Sequence, residues 1–357
     1  MFKRFVACLL CLISVFTVVS CSKPAERSFN PFLPEEPEEF DGTLRFNSDG
    51  TFKIMFLSDF HSDTWPEDYS LEKINMLLDA EQPDFIILGG DNTVDKTMDE
   101  AKSAIDTLIS LIIERRIPWC HVYGNHDRDS LDCEDLQQVY LGYDYCVSSD
   151  VEELYGVGTY CLPIIGHDSD DVKFMIWCFD SHSNSEAGIY DDQVDWYKKT
   201  SEELENTAGK KVNGMMFCHI PVYELHSCVD DIIGTRFHGT CMEGNDLESS
   251  LDTAPEGFKM FDAIKERGDV PLFLFGHCHH NNCLAVLDGI TLGYTGTVTG
   301  ACFKTDIIRG SRVVIINEND TAHPETYFAF CEDSYYEFYL DCKKEWYKKW
   351  KSVPVNE

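Results

Sequence analysis

At 357 residues, with 43% apolar side chains and 13% aromatics, the chain can bury one large α/β domain or two medium ones, and it is not a disordered protein. Its 63 acidic residues against 29 basic ones give a formal net charge of −34. A field of that sign repels nucleic acid and anionic headgroups, so recognition of a polyanion through a basic patch is disfavoured.

Lys3 and Arg4 precede an apolar run from Phe5 to Val19, too short and too singly flanked for a membrane-spanning helix. Residues 1–20 therefore read as an export signal. The sequence VVSC at its end resembles the bacterial lipobox, in which cleavage before the cysteine leaves Cys21 as the lipidated first residue. The protein is then exported and attached to the outer face of a membrane through that lipid alone; an ordinary signal with Cys21 incidental would make it secreted. Residues 21–44 carry Pro24, Pro31, Pro34 and Pro37 together with five acidic residues between Glu35 and Asp41, the composition of an extended tether. Of the 16 cysteines, thirteen lie beyond Cys21, an odd number that cannot all pair. Cys120, Cys161, Cys178 and Cys218 sit at strand-like positions, where cysteine acts as a small buried hydrophobe; Cys331 and Cys342 could bridge, with connectivity left open.

A catalytic-size domain is expected over residues 45–330. FKIMFLSDFH reads as a strand with a polar end, SLEKINMLLDAEQP as an amphipathic helix stopped by Pro83, and DFIILGGDN as a second buried strand. MDEAKSAIDTLISLIIERR reads as the longest helix, its acidic start and basic end suiting the helix dipole. WCHVYGNHD is a third strand, so two β-α-β units open a parallel sheet. GTYCLPIIG and VKFMIWCFDSH read as an antiparallel hairpin, DDQVDWYKKTSEELE as a helix and NGMMFCHIP as a strand. An irregular stretch, 230–255, precedes the helix GFKMFDAIKERGD and the strand PLFLFGHCHH. AVLDGITLGYTG and SRVVIINEND are late strands, and residues 331–357 form an extension packing on the domain, within which YYEFYLDCKKEWYKKW is aromatic and basic.

Five strand ends carry metal-binding side chains: Asp59 with His61, Asp91, Asn125 with His126, His219, and His277 with His279. One Asp or His after a strand is ordinarily a turn former. Their recurrence is the signal, because α/β sheets bind ligands where the carboxyl ends of their strands converge.

In chain order, DFH, GDN, GNHD, CHI and GHCH resemble the motifs of the calcineurin-like metallophosphoesterase superfamily. GTCMEG and ERGDVPLFLFGHCHHNN are similar to its purple-acid-phosphatase-like branch. The resemblance implies a four-layer αββα sandwich of two mixed sheets around a binuclear centre. Asp59, His61 and His279 would hold one ion, Asn125, His219 and His277 the other, and Asp91 would bridge. It also implies hydrolysis of phosphate monoesters or diesters by a metal-bridging hydroxide, with His126 stabilising the transition state or protonating the leaving oxygen. The donor types independently suit two divalent or trivalent ions such as Mn, Fe or Zn. Val94 stands where purple acid phosphatases place a ferric-binding tyrosine. It also stands where protein phosphatases place the aspartate that orients the histidine, which leaves the partner of His126 unassigned.

Two divalent cations outweigh two carboxylates and a hydroxide, so a small phosphorylated substrate is attracted locally while a long polyanion meets the negative field. Arg128, just beyond the third motif, is the foremost candidate for gripping it, ahead of Arg236, His238 and Arg309. Two other readings remain: a non-catalytic metal-binding or receptor protein on the same fold, and a structural zinc module around Cys278, His279, His280 and Cys283. Radiolabelled palmitate should enter the expressed protein and should fail to enter Cys21→Ala; a variant that still labels removes the lipid anchor.

Overall fold

A computed structural model describes residues 40–61, 68–231, 251–279, 281–299 and 309–331. The export signal, Cys21, most of the tether, Arg236, His238, His280 and the extension beyond Cys331 lie outside the described residues.

Alternating side chains in the central strands build the sandwich. In β2 (Thr51–Leu57), which follows the short β1 (Leu44–Arg45), Phe52, Ile54 and Phe56 face one way and Met55 and Leu57 the other. β3 (Phe85–Leu88) and β4 (Trp119–His121) lie parallel to β2, with α1 (Asp68–Glu81) and α2 (Met98–Ile113) as crossovers. α3 (Cys133–Tyr140) follows, and β5 (Tyr160–Ile165) and β6 (Val172–Phe179) form the expected antiparallel hairpin. α4 (Asp191–Ala208) then leads to β7 (Gly214–Cys218), and α5 (Met260–Arg267) to β8 (Leu272–Phe275), so that β6, β7 and β8 run parallel. β9 (Leu284–Leu287), β10 (Ile290–Tyr294), β11 (Gly310–Asn317) and β12 (Asp320–Phe330) complete two mixed sheets. Their orders are β1-β5-β6-β7-β8-β10-β9 and β12-β11-β2-β3-β4.

The inner faces meet in one core, where Phe56, Phe85 and Ile87 oppose Ile176, Phe217 and Leu274. On the outer face of the five-stranded sheet, Met55, Ile86 and Leu88 pack with Ile74, Leu78, Ile105 and Ile109 of the helices. On the outer face of the other, Trp177, Met216 and Phe273 pack with Tyr197 and Ile264. This is the expected αββα arrangement.

Several elements differ from the sequence reading. α4, with 18 residues, is longer than α2, with 16. α2 ends before its arginines, yet Arg115 still serves that end by donating to the Leu111 carbonyl at 2.8 Å while pairing with Asp79. AVLDGITLGYTG contains two strands, β9 and β10, turned back at Asp288–Gly289, both of which have positive φ as a tight hairpin demands. β12 is a strand that the sequence reading left unassigned; its Pro324 is tolerated because β12 is an edge strand. The tether yields to the fold earlier than residue 44: Phe40 stacks on Tyr145, and Leu44 pairs with Ile164. Among the described residues no helix is long and apolar enough to cross a membrane.

Phe217 is fully buried against Phe56, their ring centroids 5.1 Å apart. Phe217→Ala should lower unfolding stability by about 3–5 kcal/mol in urea titrations; a loss under about 1 kcal/mol would mean that the two sheets do not depend on this contact.

Candidate metal centre

The parallel strands deliver the functional residues to one edge. Asp59 and His61 follow β2, Asp91 follows β3, Asn125 and His126 follow β4, His219 follows β7, and His277 and His279 follow β8. Asp59, His61, Asp91 and His277 have φ of 58°, 47°, 51° and 69°. Such left-handed conformations are costly for side-chain-bearing residues and persist where surrounding structure holds them. The holding bonds are present: Asp59 N–H donates to the Gly90 carbonyl at 2.9 Å and His61 N–H to the Asp91 carbonyl at 2.8 Å. Gly124 must lack a side chain, since a Cβ there would lie 2.1 Å from Asp91 Oδ1.

Two clusters result, each with its potential ligand atoms within 4.8 Å of one another: Asp59, His61, Asp91 and His279, and Asp91, His219 and His277. Asp91 belongs to both. Its Oδ2 lies 3.1 Å from His219 Nε2 and 3.4 Å from His61 Nε2, while Asp59 Oδ1 lies 3.3 Å from His279 Nε2. His61 Nε2 and His279 Nε2 approach to 2.9 Å.

The other oxygen of each carboxylate is already used. Ser58 Oγ donates to Asp59 Oδ2 at 2.5 Å, and His126 N–H donates to Asp91 Oδ1 at 2.8 Å. His219 Nδ1 donates to the Gly89 carbonyl at 2.8 Å, which leaves Nε2 as the ligand nitrogen. Asp59 Oδ1, Asp91 Oδ2, His219 Nε2 and both side-chain polar atoms of Asn125 are buried without a hydrogen bond. Buried polar atoms are ordinarily satisfied, at a cost of about 1–3 kcal/mol when they are not. These orphans are the atoms that cations would satisfy. Carboxylate, imidazole and amide donors without thiolate fit two hard or borderline ions and not a thiolate zinc site.

A family model described as "Calcineurin-like phosphoesterase" matches residues 52–281. The chain belongs to the calcineurin-like phosphoesterase family. "Probable inactive purple acid phosphatase 14" of Arabidopsis thaliana is 28% identical over 299 residues, covering 71% of this chain and 72% of that protein. "Phosphatase DCR2" of Saccharomyces cerevisiae is 26% identical over 210 residues, covering 51% of this chain and 36% of that one. Among solved structures, a dimetal phosphatase from Danio rerio superposes with a TM-score of 0.49 at 12% identity, over 78% of this chain and 99% of that one.

The structure supplies residues around the centre that sequence reasoning had missed. Asp129 is one: its Oδ2 lies 2.6 Å from His126 Nδ1, which fills the vacant orienting role from three residues downstream of the histidine. Asp95, the neighbour of Val94, instead accepts from Thr93 Oγ1 at 2.6 Å. Asp127 is another, buried and accepting the N–H groups of Asp91, Asn92, Thr93 and Gly124 at 2.8–3.0 Å. Arg128 gives Nη2 to the buried Asp180 at 2.8 Å, and its Nε is buried without a partner. Arg309 donates to the Thr299 carbonyl at 2.9 Å.

Residues 276–279 do not continue the strand read over PLFLFGHCHH. β8 ends at Phe275, His277 is left-handed and Cys278 N–H bonds back to the Gly276 carbonyl at 2.8 Å, so a turn sends His277 towards His219 and His279 towards His61. Cys278 packs on the outer core.

Electrostatics link the centre to pH. Burial alone would lower the pKa of His219, but Asp91 and Asp59 outweigh it and hold the imidazole up at about 9. Burial lowers His61 to about 4 in spite of Asp91. Both aspartates are held below the usual carboxylate range, because the histidines outweigh their burial. A histidine must lose its proton to bind an ion. Adding Mn²⁺ to the metal-free protein near pH 7.5 should therefore release protons, and apparent affinity should rise with pH towards about 9 and fall in acid. Affinity unchanged between pH 6 and 8.5, by calorimetry, would show that the ion does not displace the His219 proton.

Proposed function

We propose that the protein is a metal-dependent hydrolase of small phosphate esters, monoesters or diesters, using two ions drawn from Mn, Fe and Zn. The observation that carries this reading is the set of orphaned ligand atoms on Asp59, Asp91, Asn125 and His219 beside an exposed, carboxylate-held His126. Two bound divalent ions supply Lewis acidity and lower the pKa of water so that hydroxide is available near neutral pH.

The chain's own residues supply the rest. Asp91 places a carboxylate oxygen between the two ligand clusters. Asp129 holds His126 through Nδ1, leaving Nε2 to face the substrate, where it donates a hydrogen bond to the phosphoryl group and a proton to the leaving oxygen. Arg128, anchored on Asp180, keeps further N–H groups for a non-bridging oxygen. Export and lipid attachment at Cys21 belong to the same proposal, as does a membrane association made only through that lipid.

Relatives named "probable inactive" favour a second reading, a metal-binding receptor on this fold. Against it stands the His126–Asp129 pair, for which a receptor has no evident use. The discriminating experiment measures metal content and hydrolysis of aryl phosphate mono- and diesters for the wild type, Asp91→Asn and His126→Ala. The wild type should hold about two ions and turn over, Asp91→Asn should lose both properties, and His126→Ala should keep its metal while kcat falls about 10²-fold or more. Full activity in Asp91→Asn overturns the mechanism; a loaded wild type that hydrolyses no ester establishes the receptor reading.

A further inference from the structure

His277 has a carboxylate on its outer nitrogen. Nε2 lies 3.4 Å from Asp252 Oδ2, while the ring stands edge-on to His219 with centroids 5.3 Å apart and shares a ligand cluster with Asp91 and His219. An imidazole that gives one N–H to a carboxylate presents its lone pair at the opposite nitrogen, in this case Nδ1.

The placement of Asp252 is built from both sides. Leu251 before it is buried, and its carbonyl accepts the Tyr294 hydroxyl. After it, Ala254 N–H donates to the carbonyl of Pro221, two residues beyond His219, at 2.8 Å. Thr253 Oγ1 lies 3.1 Å from His226 Nε2. Between these anchors Asp252 has φ of 43°, a left-handed conformation that aspartate tolerates better than most residues. The segment is thus tied to the loop that carries His219, while its carboxylate reaches the histidine from the next strand.

We propose that Asp252 is a positioning residue that fixes the tautomer and ring orientation of His277, and through it sets the affinity of the metal position formed with Asn125 and His219. The inference rests on the binuclear reading and adds a group outside the family motifs. Asp252 has 73% of its side chain exposed, so its replacement should not disturb the core.

The test titrates metal-free wild type, Asp252→Asn and Glu256→Gln with Mn²⁺, following bound metal by calorimetry and by the spin-resonance signal of coupled ions. Glu256 is an exposed carboxylate nearby and controls for general surface charge. In Asp252→Asn one binding step should stay as in the wild type and the other weaken about 10–100-fold, with loss of the coupled signal at limiting metal. Glu256→Gln should bind as the wild type does, and all three metal-free proteins should melt together. Two unchanged steps in Asp252→Asn overturn the positioning role and leave the binuclear reading intact. Equal weakening of both steps, or the same weakening in Glu256→Gln, also overturns it. A wild type that binds no ion overturns both.

Discussion

The Asp127 carboxylate is the constraint on which the centre depends. One oxygen accepts from Asp91 and Gly124, the other from Asn92 and Thr93, so a single buried side chain clamps together the loops that leave β3 and β4. With those loops clamped, His126 N–H reaches Asp91 Oδ1, and the other oxygen of Asp91 is free to turn towards His61 and His219. Burial and the neighbouring Asp91 push Asp127 up to about 6, against the N–H groups that favour its anion. A carboxyl raised in this way is one that the fold would rather keep neutral. Holding it ionised at neutral pH costs stability, and the return is the position of Asp91 between two ligand clusters.

Charge balance inside the site runs against the surface. A chain of net charge −34 still places two buried aspartates among histidines, and without metal the His219 proton partly offsets them. Two divalent ions would replace that partial offset with a net positive charge. On the proposed reading, that local charge would let an acidic protein bind a small anion, while long polyanions would still meet the outer field.

What was legible in the sequence was local. Apolar runs ending in Asp, Asn or His announced the strands and the edge at which they converge, and the structure brings the aspartates and histidines of the motifs together in two clusters that share Asp91. What was not legible depended on tertiary return or on a different local geometry. The partner of His126 was sought after Asp91 but comes from Asp129 on its own loop. Asp252 lies 25 residues before His277, and only the Ala254–Pro221 and Tyr294–Leu251 bonds bring it there. The Asp288–Gly289 turn was visible as a dipeptide, but the apolar residues on either side read as one strand. His277 and His279 do reach the centre, though from a turn and not from the strand read over PLFLFGHCHH.

The two halves of the centre are backed unequally. Asp59, in the first, is fixed by Ser58 on its carboxylate, by Gly90 on its N–H and by Thr297 Oγ1 on its carbonyl at 3.0 Å, all within buried structure. In the second, His219 is fixed by the buried Gly89 carbonyl, but His277 leans on Asp252, most of whose side chain faces solvent. Exposed charges are screened by salt and buried ones much less. The electrostatic support of the second position is therefore open to ionic strength and to competing cations in a way that the first is not. In a centre arranged like this, burial would keep one ion, and on the role proposed for Asp252 the hold on the other would be adjustable from the surface.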